Sequence, residues 1–136
     1  MQRIWMCWFQ GLDDIFMPEL NRKCIQLWKE FNPDFEFIIL DDESIPKYLP
    51  DWEKMQETKF SRSRTIKSDL LRLMLLSKYG GYWCDASLVP MAPLKIISEK
   101  ILNKTNIFMY RFNPRKASEE PQNYGFKETT SWFIAS

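Results

Sequence analysis

The sequence contains no histidine. This absence excludes Ser-His and Cys-His nucleophile systems, so any acid–base chemistry must come from carboxylates, tyrosines, lysines or the substrate itself. Cysteine is scarce, with three residues that lie far apart in apolar runs. A zinc site is not expected without histidine and without a CxxC pair. We interpret the three cysteines as buried free thiols in a reducing compartment: Cys7, Cys24 and Cys84.

Neither sign of charge is in excess, because 19 Lys and Arg stand against 18 Asp and Glu, for a net charge of +1. This balance gives no support for nucleic-acid binding. No apolar run is long enough to span a bilayer, and the N-terminal residues lack the apolar core of a signal peptide. No GxGxxG sequence follows a predicted strand, which argues against a dinucleotide-dependent oxidoreductase.

The 136 residues are about the size of one domain, 1–136, and carry enough apolar and aromatic side chains for a core. Short β-prone runs alternate with helical periodicity, which predicts an α/β layer fold with a largely parallel sheet. The predicted strands are 3–9, 35–40, 82–85, 107–112 and 130–135. The predicted helices are 18–31, 64–78 and 95–102, with short helical pieces in 45–58 and a polar loop over 113–125.

Apolar periodicity also predicts which helix faces are buried. In the first helix, Pro18 suits the first turn and Asn32 follows the last. Its predicted buried face is Leu20, Cys24, Leu27, Trp28 and Phe31. In the helix 64–78 the predicted face is Ile66, Leu70, Leu73, Met74 and Ser77, widened by Leu71, Leu75 and Leu76, with Gly80 as the C-terminal cap. The last strand ends without a polar tail, so we expect a sheet edge at which either the chain is truncated or a partner chain covers the strand.

Asp69 and Arg72 are three residues apart on the helix 64–78 and therefore share a face with Ser68. One interpretation is an ion pair on a solvated face. The other follows from the leucines around the pair, which indicate that little of this helix is exposed. A partly buried Asp-Arg pair can bind sugar hydroxyls and a phosphate, because arginine donates several hydrogen bonds and aspartate accepts them.

Asp85-Ala86-Ser87 follows a Gly-Gly turn and a short aromatic strand. Ligands of α/β sheets bind beyond the carboxyl ends of the strands, and hard cations take oxygen ligands. Asp85 and Ser87 are therefore candidates to hold Mg²⁺ or Mn²⁺ against a diphosphate. The alternative is that Asp85 caps a turn.

Two further positions leave alternatives open. Trp8 is either part of the core or a flat ring, next to Gln10 and Gly11, on which a nucleobase stacks. Asp41-Asp42 ends the second strand at the same sheet edge, where it either joins the site or caps a turn or helix.

The sequence resembles the capsular polysaccharide synthesis glycosyltransferases, which belong to the wider group of sugar transferases with a DxD motif. The resemblance rests on the segments Trp8–Gly11, Cys24–Asp42, Ser68–Arg72, Tyr79–Gly81 and Asp85–Ser87. It implies a GT-A-like, Rossmann-like fold for nucleotide-sugar binding, without the C-terminal part that supplies acceptor contacts. It also implies transfer of a sugar from a nucleotide-sugar donor to a polysaccharide or other glycan acceptor. The resemblance favours a UDP-sugar as the donor and retention of configuration at the anomeric carbon.

Carried over by position, the resemblance implies that Trp8 stacks on the base of the donor. It also implies that Asp69 and Arg72 hold the sugar, ribose or phosphate of the donor. Asp85 and Arg72 would be the catalytic residues. Asp85 and Ser87 would hold Mn²⁺ or Mg²⁺, with Ser87 where a second acidic residue often stands. The implied donor-binding residues are Trp8, Gln10, Gly11, Ser68, Asp69, Arg72, Asp85, Ala86 and Ser87.

Three functional hypotheses remain at this point. The first is a glycosyltransferase, or its donor-binding half. The second is a non-catalytic module or subunit that binds nucleotide-sugar, which Ser87 and the length of the chain favour. The third is a structural interaction domain with its charges on the surface. The missing signal peptide and the resemblance together imply a cytoplasmic location, peripheral at the inner membrane face through partners.

Overall fold

The structure, a computed structural model, describes residues 2–56, 63–102, 104–111 and 129–136. The strands are β1 (Arg3–Cys7), β2 (Glu36–Leu40), β3 (Tyr82–Cys84), β4 (Phe108–Arg111) and β5 (Thr129–Ala135). The helices are α1 (Glu19–Phe31), α2 (Ile45–Tyr48), α3 (Trp52–Gln56), α4 (Arg64–Tyr79) and α5 (Lys95–Ile97), and a π-helical turn, Ser98–Leu102, follows α5.

One sheet joins these strands in the order β2-β1-β3-β5-β4. β1 is parallel to both β2 and β3, whereas β5 is antiparallel to β3 and to β4. The prediction of a parallel sheet therefore holds for the first three strands only. The prediction that the last strand forms a sheet edge is wrong, because β5 hydrogen-bonds to a strand on each side. The sheet-edge argument for a partner chain therefore no longer applies, and the partner chain itself stays a prediction.

The side chains of the central strands alternate between two apolar layers, as the twofold period of a strand requires. Ile4 of β1 and Tyr82 of β3 join the layer that contains Trp28 of α1. Their neighbours Trp5 and Trp83 point to the opposite layer. That layer packs on α2, α3 and α4 through a second set of side chains, among them Ile45, Leu49, Trp52, Leu71 and Leu75. The result is an α/β layer fold in which both faces of the sheet are covered.

Helix α4 lies with a different face inward than its periodicity predicted. The buried residues are Leu71, Arg72, Leu75 and Leu76. Ile66 and Leu73 belonged to the predicted buried face, yet they are 44% and 58% exposed. Leucines occur on several sides of this helix, so periodicity alone does not fix its rotation, and the sheet selects the side that carries Leu71 and Leu75. Gly80 caps the helix as predicted, and its N–H donates to Leu76 O at 2.9 Å.

Helix α1 differs from the prediction at its ends. Pro18 precedes the first turn as the N-cap, and Asn32 is the C-cap. Cys24 and Trp28 are buried as predicted, but Leu20 is 60% exposed and Phe31 is 37% exposed. The remaining buried positions are Asn21 and Ile25. The buried face of α1 is therefore shifted by one residue relative to the face that apolar periodicity predicted.

The remaining segments agree with the prediction to different extents. The segment 45–58 contains the expected short helices α2 and α3, up to residue 56. The predicted helix 95–102 is split into α5 and the π-helical turn. The predicted loop 113–125 and residues 57–58 lie outside the described residues.

The three cysteines are free thiols, with Cys24 and Cys84 buried and Cys7 half-buried. Among the described residues no helix has the length and apolar character to cross a membrane.

Candidate functional site

The carboxyl ends of β1, β2 and β3 meet at one edge of the sheet because these strands are parallel. Backbone hydrogen bonds continue the pairing beyond the strands. The N–H of Trp8 donates to Leu40 O at 2.9 Å, and the N–H of Asp42 donates to Phe9 O at 3.1 Å. The loop after β1 and the loop after β2 are therefore fixed side by side, at the edge where α/β sheets bind ligands.

Arg72 is a buried cation at this edge. Its side chain is 5% exposed, and its Nη2 atom lies 3.1 Å from Asp69 Oδ1 and 3.6 Å from Asp85 Oδ1. Nη2 also donates to Ser68 Oγ at 3.0 Å, and Nε donates to Ser68 O at 3.2 Å. Such contacts offset the cost of removing the guanidinium from water. The pair is thus a buried arginine with a half-exposed aspartate, not an ion pair on a solvated face.

Asp85 follows β3 and points its carboxylate toward Arg72. Its Oδ1 atom accepts a hydrogen bond from Trp83 Nε1 at 2.7 Å. Burial raises the pKa of Asp85, while the Trp83 hydrogen bond and Arg72 partly offset that rise. The backbone carbonyl of Asp85 accepts from the N–H of Leu88 at 2.9 Å, so a turn does begin here. The backbone makes the turn and the side chain faces the site, so both interpretations of Asp85 apply.

The two residues after Asp85 point in different directions. Ala86 is buried in the apolar layer that also holds Met17 and Trp28. Ser87 is exposed. The side chains brought together around Arg72 are thus those of Ser68, Asp69, Trp83 and Asp85, whereas Ala86 packs in the apolar layer.

The site offers few oxygen ligands for a metal ion, which suits a cation that is also bound by substrate phosphates and water. Asp85 supplies one carboxylate, and Ser87 supplies a hydroxyl two residues further on. No group of three or more His, Cys, Asp or Glu side chains converges as a metal site within the described ranges. Mg²⁺ binds in this way, through one or two carboxylates together with substrate phosphates and water. Asp85 and Ser87 are therefore the residues that could hold such a cation.

Trp8 lies where the sequence placed it, just beyond β1, and it is half-buried. Its ring packs against the apolar layer below, and its Nε1 donates to Asp14 Oδ2 at 3.0 Å. Gln10 is exposed, and Gly11 has a φ of +84° that favours glycine. The ring is part core and part surface, and its stacking on a base stays a prediction.

Of the two interpretations of Asp41, joining the site or capping a turn, its hydrogen bonds match the turn. Its Oδ1 accepts from the N–H of Ser44 at 2.7 Å, and its own N–H donates to Ser44 Oγ at 2.9 Å. The hydrogen bonding with Ser44 lowers the pKa of Asp41. A Cβ added to Gly11 would lie 3.6 Å from Asp41 Oδ2, so this turn also borders the loop of Trp8. Asp42 is exposed at the same edge.

Sequence reasoning missed two residues of the site. Trp83 was predicted only as part of an aromatic strand, yet it contacts both Asp85 and Arg72, whose guanidinium carbon lies 5.3 Å from its ring centroid. The signal was its spacing of two residues from Asp85, which places both side chains on one side of an extended chain. Cys7 ends β1 at this edge, and burial, followed by the charges of Asp42, Asp41 and Asp85, raises its pKa.

Comparison with known proteins defines the family. The family described as "Capsular polysaccharide synthesis protein" matches residues 1–136, so the chain belongs to it. The resemblance predicted from the motifs is thereby confirmed.

Two individual proteins are similar over part of their length. One is the initiation-specific alpha-1,6-mannosyltransferase of Candida albicans, which is 28% identical over 115 residues. That match covers 77% of this chain and 29% of the relative. The other is the solved structure of the PaToxG glycosyltransferase, with 21% identity and a TM-score of 0.45. It covers 68% of this chain and 44% of that chain. The chain thus spans less than half of either relative.

Proposed function

We propose that the protein is the donor-binding part of a glycosyltransferase, which transfers a sugar from a nucleotide-sugar to a polysaccharide or other glycan acceptor. The observation that carries this proposal is the buried guanidinium of Arg72, held between Asp69 and Asp85 at the carboxyl edge of the sheet. A buried cation with half-exposed acceptors beside it suits a ligand that combines phosphates with hydroxyl groups. Membership of the family and the name of the mannosyltransferase relative support the same class.

Each charged residue has a distinct role in this proposal. Arg72 contacts the donor diphosphate and offsets the negative charge that develops on it as the sugar leaves. Asp69, whose side chain is 48% exposed, accepts hydrogen bonds from hydroxyls of the sugar or ribose. Trp8, at the end of β1, stacks on the base, and we favour uridine. Gln10 and Gly11 form the rest of that loop.

Asp85 and Ser87 would hold a Mn²⁺ or Mg²⁺ ion together with the diphosphate. The ion, when bound, acts as a Lewis acid that stabilises the leaving phosphate. Burial raises the pKa of Asp85, and a bound cation would favour its ionised form. The bond from the anomeric carbon to the phosphate oxygen breaks, and a bond from that carbon to an acceptor hydroxyl oxygen forms. In a retaining reaction the acceptor approaches the face that the phosphate leaves, so the leaving phosphate can take the hydroxyl proton.

Calorimetric titration of UDP and of GDP, each with and without Mn²⁺, tests the donor site. We expect the wild type to bind one nucleotide in a Mn²⁺-dependent manner and Asp85→Ala to lose that dependence. Asp51→Ala is the matched control, because Asp51 is an exposed aspartate directly before α3 that pairs with Lys54 of that helix. A folded wild type that binds neither nucleotide would contradict the proposal. Slow metal-dependent hydrolysis of the nucleotide-sugar separates an enzyme from a module that only binds the donor.

A further inference from the structure

We propose that Trp83 is a positioning residue that orients both charged groups of the site, Asp85 and Arg72. This inference rests on the proposed function, because it concerns how the same donor and cation site is held in shape. Trp83 makes two contacts of different kinds with those groups, one through its N–H and one through the face of its ring.

The indole of Trp83 has a fixed position. It is 1% exposed and lies on β3, the central strand, which ends directly before Asp85. Trp5 of β1 is its register partner on one side and Ile134 of β5 on the other. A large ring packed in the core between two strands keeps its rotamer, so groups that contact it inherit a defined geometry.

The N–H of Trp83 selects one oxygen of Asp85. Nε1 donates to Oδ1 at 2.7 Å, and Arg72 Nη2 approaches the same oxygen at 3.6 Å. The other oxygen, Oδ2, takes part in neither contact. Because an indole nitrogen can only donate, the bond requires a carboxylate oxygen that accepts, and it fixes the rotation of the carboxylate group. Outer-shell donors of this kind orient the carboxylates that ligate metal ions.

The ring face of Trp83 acts on the other charge. The guanidinium carbon of Arg72 lies 5.3 Å from the centroid, within the range of a cation–π interaction. Arg72 is therefore held by Ser68 on its own helix, by two carboxylates and by the indole. A single side chain on the strand thus sets the relation between a residue of α4 and a residue of the loop after β3.

Two other buried tryptophans donate their indole N–H to the backbone instead of to a charged group. Trp5 Nε1 donates to Gly80 O at 2.9 Å, and Trp28 Nε1 donates to Leu88 O at 2.7 Å. Both acceptors are backbone carbonyls outside the charged cluster. Trp5 is the better control, because it lies beside Trp83 in the sheet and points to the same apolar layer.

The experiment compares Trp83→Phe with Trp5→Phe. Each variant keeps an aromatic ring in the core and removes one indole N–H. Titration of UDP with and without Mg²⁺ measures affinity, and the urea unfolding midpoint measures the structural cost. We expect Trp83→Phe to lose roughly 10- to 100-fold in the Mg²⁺-dependent affinity, as outer-shell substitutions do. Trp5→Phe should lose about as much stability as Trp83→Phe, but it should keep the Mg²⁺-dependent affinity.

A spectroscopic readout on the metal-free protein tests the geometry directly. The indole ¹H–¹⁵N signal of Trp83, assigned through its own ring and backbone resonances, should move in Asp85→Ala while that of Trp5 stays in place. The inference is overturned if the Trp83 signal does not move, or if both Phe variants change the Mg²⁺-dependent affinity equally. A wild type that binds no nucleotide overturns the proposed function as well, whereas a wild type that binds with an unaffected Trp83→Phe overturns the positioning role alone.

Discussion

The side-chain oxygen of Asn32 accepts a hydrogen bond from the backbone N–H of Leu94 at 2.8 Å, although 62 residues separate them. The amide of the same side chain donates to Trp28 O at 2.9 Å. Asn32 is 3% exposed, so both bonds are made in the core. The end of α1 is thereby fastened to the segment that follows Asp85-Ala86-Ser87, and Trp28 makes a second connection at Leu88.

Asn32→Ala should destabilise the protein by about 1–3 kcal/mol, because it leaves the buried N–H of Leu94 without its acceptor. The free energy of unfolding in urea measures this effect. Asn106→Ala is the control, since Asn106 is exposed. Equal stability of the two variants would contradict the structural role of Asn32.

Gly81→Ala should be among the most damaging single substitutions in the chain. A Cβ on Gly81 would lie 2.6 Å from the backbone oxygen of Arg3, and the residue has a φ of +99°. Backbone atoms of β1 cannot move aside without breaking the sheet, so we expect a loss of at least about 2 kcal/mol, seen as a lowered Tm. Gly11→Ala has comparable φ strain but no close contact, since its nearest atom is Asp41 Oδ2 at 3.6 Å. A loss no larger than that of Gly11→Ala would refute the steric argument.

Arg72→Lys should weaken UDP binding by about tenfold or more, although the charge is kept. The guanidinium reaches Ser68, Asp69 and Asp85 together, and a single ammonium cannot reproduce that arrangement. Calorimetry gives the affinity. Arg3→Lys is the matched control, because Arg3 also pairs with a carboxylate, Glu36, and lies over an aromatic ring. Arg3 is at the opposite end of β1, so its replacement should leave the affinity unchanged, and a similar loss in both variants would count against the site.

Stability should depend on Asp41 in a pH-dependent way. The hydrogen bonding with Ser44 lowers the pKa of Asp41 from its ordinary value of 3.8, so the ionised form is favoured in the folded state. Its contribution to stability is complete above the unfolded pKa and is lost as the pH falls through the folded one. The difference in unfolding free energy between wild type and Asp41→Asn should therefore be largest near pH 7 and shrink below pH about 4. A difference that is constant from pH 7 to pH 3 would show that the ionised carboxylate contributes nothing.

The strands and the site edge could be predicted because their signals are local. Short aromatic runs closed by Gly or Asp mark β1, β2 and β3, and the parallel pairing of these strands brings their ends together. The rotation of α4 could not be predicted in this way. Leucines such as Leu71 and Leu73 are equally apolar, and only packing against the sheet decides that the first is buried and the second is exposed.

The direction of β5 was also beyond local pattern. The sequence of an apolar strand has the same pattern whether its neighbour runs parallel or antiparallel. The alternation of strands and helices therefore favoured a parallel sheet. The role of Trp83 was hidden for a related reason. A buried tryptophan in a strand is usually core, and only the structure reveals that its N–H meets Asp85 Oδ1.

The interior position of β5 in the sheet has a consequence for how the protein is made. β1, α1 and β2 are contiguous and can assemble as they leave the ribosome, because synthesis proceeds from the N-terminus. β3 pairs with β1 on one side but waits on the other until Thr129–Ala135 has been synthesised. During that interval β3, which ends directly before Asp85, keeps an open edge, and such an edge can pair with the wrong chain. The yield of native protein should therefore be sensitive to translation speed over the segment between β3 and β5.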